Sequence, residues 1–158
     1  MSNWSARLAE LGITLPPVAK PAGAYVPALR VGDLVHTSGQ LPYVDGKLPR
    51  TGIVGVGPDL VDPEQAKALA QFSALNALAA VHDLVGIDNV VRVVKVTGFV
   101  ASAPDFGGQP GVINGASELF GQVFGEAGAH ARSAVGVAAL PLNAPVEVEL
   151  TVLVQPAS

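Results

Sequence analysis

Cysteine is absent from the 158 residues, which excludes disulfides, thiol nucleophiles and thiolate metal sites together. Charge is scarce: Asp, Glu, Lys and Arg make up 14% of the chain, with a net charge of −4. No cluster of Lys or Arg occurs anywhere, and aromatic residues amount to 5%. Nucleic-acid binding draws on a basic stripe and stacking rings, so no nucleic-acid partner is expected. Long hydrophobic runs are missing too. Uninterrupted apolar stretches fall far short of the ~20 residues that span a bilayer. The start, MSNWSARLAELG, lacks the apolar core of a secretory signal. The expectation is a cytoplasmic protein without a membrane segment.

What is present is apolar. Hydrophobic residues make up 49% of the chain and mean hydropathy is +0.44. The length suits one domain over 1–158, of a size that buries roughly 70% of its unfolded surface. An apolar surplus without a membrane span points to an oligomer that hides part of the surface.

Along the chain, Ser2 to Leu11 has Trp4, Leu8 and Leu11 spaced for one helix face. The Pro-rich ITLPPVAKPAG follows as an extended connector, so residues 1–21 form an N-terminal extension with a helix in it. AYVPALRVGDLVHTSGQLP gives two strands about a Gly32-Asp33 turn, and a further short strand is expected near Ile53 and Val54. VDPEQAKALAQFSALNALAAVHDLVG is the clearest helix. Asp62 caps it, Pro63 takes the first position, Gln65 stands where a capping-box partner belongs, and Gly86 ends it. NVVRVVKVTGFVAS is a β-branched strand. PGVINGASELFGQVFGEAG is a second helix, with Val112, Ala116, Leu119, Val123 and Ala127 on its buried stripe. RSAVGVAAL and PVEVELTVLV are the last strands. The order β-β-(β)-α-β-α-β-β predicts an α+β fold, a mixed sheet with two helices on one face.

In the last strand Val146, Val148, Leu150, Val152 and Val154 point one way, and Glu147, Glu149, Thr151 and Leu153 the other. Arg132, Ala134 and Gly136 share one face of the preceding strand. Combined, these rows predict a second sheet face that is small, polar and charged, buried against other subunits, with Arg132 and a glutamate in a cleft between chains.

Ala131-Arg132-Ser133, Leu140-Pro141 and Glu147-Val148-Glu149 follow one another in order. Upstream stand Tyr25 and Thr37-Ser38-Gly39-Gln40-Leu41-Pro42, and Asn114 lies near the start of the second helix. This pattern, from about Ala22 to Val154, resembles the RidA/YjgF-like reactive-intermediate deaminases. The resemblance implies a chorismate-mutase-like α+β fold and a homotrimer with three inter-subunit clefts. In one branch of the family it implies hydrolysis of 2-imino or enamine acids to 2-oxo acids and ammonia. His130 stands where that branch has proline, and Ala134 where cysteine is common. The N-terminal helix and the Val44–Gly57 loop are longer than in the short members. These departures resemble a longer subgroup of undefined function.

Arg132 is the candidate carboxylate anchor, through two parallel hydrogen bonds; the alternative is an inter-subunit ion pair. The resemblance puts the water-handling role on Glu147, and a carboxylate in a partly dry cleft can take a proton from water; the alternative is a polar partner for Arg92, Lys95 or Arg132 of a neighbouring chain, and Glu149 reads as structural. Tyr25 closes the cleft or packs at a strand edge. Ser38 meets the ligand or serves as a turn residue. Asn114 lines the cleft or bonds backbone at a helix start. His36, His82 and His130 share no ligand spacing, so no metal is expected. Gly52–Gly57, GIVGVG, precedes no strand-turn-helix and is not a dinucleotide loop. An imine is already electrophilic, so no cofactor is expected either. The expected partner is a small 2-imino or 2-oxo acid. The rival reading is a trimer that binds metabolites without turnover. A ribonuclease reading, a label often attached to this family, conflicts with the acidic charge and the missing basic patch.

Overall fold

Gly32, at φ +60°, lets the chain reverse, and strands β1 (Ala28–Val31) and β2 (Leu34–Thr37) pair antiparallel across it. The computed structural model describes residues 2–158. Helix α1 (Trp4–Glu10) comes first, and helix α2 (Pro63–Val85) follows the hairpin and a long loop. Strand β3 (Val90–Ala101), helix α3 (Gln109–Phe124), strand β4 (Ala131–Val137) and strand β5 (Val146–Val154) complete the fold. The sheet order is β1-β2-β5-β3-β4; only β3 and β4 run parallel. This is the predicted mixed α+β arrangement.

The strand expected near Ile53 and Val54 does not form. Val54 makes only isolated bridges to Val61 and Ser102, because the glycines around it keep the loop from pairing over any length. Asp62 caps α2 by accepting from the Glu64 N–H at 3.1 Å, and the described bonds at this end do not include the Gln65 side chain. Ala127 falls in a 3-10 turn after α3 and is only partly buried.

β5 alternates strictly: Val146, Val148, Leu150, Val152 and Val154 turn one way and are all buried, and Glu147, Glu149, Thr151 and Leu153 turn the other and are partly buried. Helices α2 and α3 cover that face. Small side chains on α2, Ala66, Ala70, Ala74 and Ala77, let it lie close to the sheet. By length and composition α2 could cross a membrane, yet 56% of its apolar window is buried inside the protein. Register shifts along β3 break its alternation, so the buried positions run Val90, Val93, Val96 before settling to every second residue.

Two glycines fix α3. A Cβ on Gly98 of β3 would stand 2.5 Å from Ile113, and one on Gly115 would stand 2.0 Å from the Lys67 carbonyl of α2. The turn 113–115 is thus pressed on the sheet on one side and on α2 on the other, and Asn114 is held between the two contacts. The N-terminal helix is pinned separately. Trp4 donates to the Val90 carbonyl at 2.8 Å and meets Phe124 edge-on at 5.2 Å. Asp88 accepts from the Ser5 N–H at 2.8 Å and from its hydroxyl at 2.6 Å.

Candidate functional site

The five residues singled out in the sequence fall into two groups on opposite faces of the sheet. Tyr25, Ser38 and Glu147 belong to the first. The backbone of Gln40 pairs with Val148, donating at 2.8 Å and accepting at 3.0 Å, which clamps the Thr37–Pro42 turn onto β5. Gly39 then lies directly over Glu147: a Cβ there would stand 2.7 Å from the glutamate Cδ. The Ser38 hydroxyl donates to the Val26 carbonyl at 2.6 Å and its N–H to the Pro27 carbonyl at 2.8 Å. These bonds hold the segment carrying Tyr25, whose hydroxyl accepts from the Ala22 N–H at 3.2 Å.

A cavity of about 310 Å³ opens here, lined by Lys20, Tyr25, Gly39, Leu142 and Glu147 among others. Leu142 sits in its wall with φ +57°, a left-handed conformation rare for a leucine, and is 62% exposed. Glu147 is partly buried and forms no salt bridge among the described residues. Its pKa is pushed up, first by burial and then by the neighbouring charge of Glu149. A carboxyl with raised proton affinity, facing a cavity, is suited to taking a proton from water and returning it.

Arg132 and Asn114 form the second group. Arg132 pairs in register with Val96, whose side chain is buried under the helices, so Arg132 lies on the helix side of the sheet at its open edge. Glu147 pairs with Phe99, which pairs with Val135, on the other side. The expectation that Arg132 shares the face of Glu147 and Glu149 is therefore corrected. The cause is the parallel register of β4 on β3, which β4's own alternation does not reveal. Arg132 Nη1 donates to Asn114 Oδ1 at 2.8 Å and to Ser117 Oγ at 3.2 Å. Asn114 thus holds the arginine; it is not the helix cap, a position taken by Gly108. Among the described residues no carboxylate pairs with Arg132.

Ser117 and Gly39 were not singled out in the sequence. Ser117 stands three residues after Asn114, hence on the same helix face, and that spacing was the available signal. The three histidines are engaged separately: His36 with Thr151, His82 with the Ile87 N–H, and His130 with Ser117 and Gly128.

An α+β sheet with its helices and an edge-strand arginine on one face, and a cavity holding a glutamate on the other, has the architecture of a chorismate-mutase-like protein. The chain belongs to the family described as "YjgF/chorismate mutase-like, putative endoribonuclease", which matches residues 5–153. Protein TCP17 of Trypanosoma cruzi is 44% identical over 150 residues, covering 94% of this chain and 92% of that one. A 2-iminobutanoate/2-iminopropanoate deaminase of Dermatophagoides farinae is 34% identical over 143 residues, 90% of this chain and 95% of its own. The crystal structure of Atu1372 from Agrobacterium tumefaciens, a protein of unknown function, superposes with a TM-score of 0.84 at 47% identity, covering 96% and 92% of the two chains.

Proposed function

We propose that the protein hydrolyses small 2-imino or enamine acids to 2-oxo acids and ammonia, in clefts shared between the copies of a homotrimer. The observation that carries this reading is Glu147, a partly buried carboxylate with no cation partner among the described residues, with raised pKa, facing a cavity lined by Tyr25. The deaminase relative supplies the reaction class. Arg132 supplies the carboxylate anchor, since Asn114 and Ser117 occupy only its Nη1.

The two groups face away from each other within one chain. A site that uses both takes Arg132 from one copy and Glu147 from the next. The sheet face away from the helices also favours assembly: Leu29, Val31 and Val135 lie on it and are 47%, 61% and 43% exposed.

In the reaction, the ligand carboxylate pairs with Arg132. Water adds to the carbon of the protonated imine while Glu147 takes one of its protons, and a neutral carbinolamine forms. Glu147 then gives that proton to the nitrogen and takes the carbinolamine hydroxyl proton as the C=O bond forms and the C–N bond breaks, and the 2-oxo acid and ammonia leave. The test is imine loss, followed with freshly generated 2-iminobutanoate. The parent should accelerate it, and Glu147→Gln should slow it by ~100-fold or more while still binding 2-oxobutyrate. A parent that binds 2-oxobutyrate but leaves the imine rate unchanged would favour the purely binding trimer.

A further inference from the structure

A chain of hydrogen bonds runs behind Arg132. His130 Nδ1 lies 2.6 Å from the Gly128 carbonyl. A carbonyl only accepts, so Nδ1 carries a proton. In the neutral ring Nε2 is then the acceptor, and the Ser117 hydroxyl, 2.9 Å away, donates to it. That commits the only proton of Ser117 and leaves its lone pairs to Arg132 Nη1, at 3.2 Å. The second proton of Nη1 goes to Asn114 at 2.8 Å. Both Nη1 protons are thereby used. The Nε–H and one Nη2–H, which point side by side, form the edge that matches a carboxylate in a two-bond pair. The His130 ring is set edge-on to Phe120, at 6.0 Å and 86°, and Phe120 is fully buried.

We infer that His130 is a positioning residue for the carboxylate anchor. By accepting the Ser117 proton it fixes which way that hydroxyl faces, holds Nη1 of Arg132 inward, and so presents the Nε/Nη2 edge to the ligand. The inference rests on the reading that Arg132 binds a carboxylate.

The relay predicts a pattern across variants in calorimetric titrations with 2-oxobutyrate. Arg132→Ala weakens binding at least about tenfold. Ser117→Ala and His130→Asn each weaken it about threefold to tenfold, the range for one hydrogen bond. Asparagine can still donate to Gly128 but is too short to reach Ser117. His130→Gln places an amide oxygen where Nε2 was, and affinity returns to within about twofold of the parent, although the ring contact with Phe120 is lost. Ser117→Ala combined with His130→Asn is no weaker than either alone, because both cut one relay. Ser117→Ala removes only a hydroxyl from a helix, so it keeps the fold if His130→Asn does not. Parent-like binding by Ser117→Ala beside a weakened Arg132→Ala overturns the relay, and so does a His130→Gln as weak as His130→Asn. Parent-like binding by Arg132→Ala, or no binding by the parent, overturns the carboxylate reading itself and the relay with it.

Discussion

In the proposed reaction Glu147 moves the proton and Arg132 binds the anion, and each residue makes its own prediction. Glu147 has its pKa raised, so the folded state holds a proton more tightly than the unfolded chain does. Between the ordinary glutamate value and the raised one, stability falls as pH rises. Glu147→Gln removes that effect. Its melting temperature should equal or exceed the parent's at pH above the raised value, and the difference should close as the buffer is taken below the ordinary glutamate range. Thermal melts across pH check this, and a variant that loses stability at high pH would show that the ionised carboxylate has a partner after all. At Arg132 the prediction concerns shape. Arg132→Lys keeps the charge but not the planar fork, so it should bind 2-oxobutyrate no better than Arg132→Ala; calorimetry reads the difference.

The elements explain what the sequence could reveal. The alternation of β5 was legible because its buried valines and outward glutamates differ sharply. The capped, Gly-terminated α2 was legible for the same kind of reason. In β4 neither row is a run of large apolar side chains: Ala131, Ser133, Val135 and Val137 stand against Arg132, Ala134 and Gly136. No apolar stripe marks the inner row, so the facing of Arg132 came only with the register on β3. Likewise Gly39 reads as a turn glycine until β5 is seen beneath it. Helix packing carries one prediction. A methyl group on Gly115 meets the Lys67 carbonyl, so Gly115→Ala should cost about 1–3 kcal/mol by forcing α3 from α2. It should weaken 2-oxobutyrate binding as well, because Asn114 moves with that turn. Denaturant melts and titrations read the two effects. The docking of α1 carries another. Ser5 donates two bonds to Asp88 and lowers its pKa, so the stability it contributes is present above the ordinary aspartate value and is lost as pH falls through the lowered one. The fluorescence of Trp4, the single tryptophan, should shift in that acid range in the parent. In Ser5→Ala it should shift at higher pH.

For the whole molecule, the exposed Leu29, Val31 and Val135 on the uncovered sheet face and the separation of Arg132 from Glu147 both support the proposed assembly. A cyclic arrangement of identical chains lets the edge of one approach the cavity of the next, and each interface then supplies one complete site. Helix α1 does not cover that sheet face, since it docks beside α3 and the Ile87–Asn89 turn at the other side. The most direct test mixes two disabled proteins. Arg132→Ala and Glu147→Gln are unfolded together, refolded at equal amounts, and assayed for imine hydrolysis against each variant refolded alone. Random assembly gives both intact residues at about a quarter of the interfaces, so about a quarter of parent activity should return. Activity no higher than the two variants alone, from mixed assemblies confirmed by mass spectrometry, would contradict a site built from Arg132 of one chain and Glu147 of another.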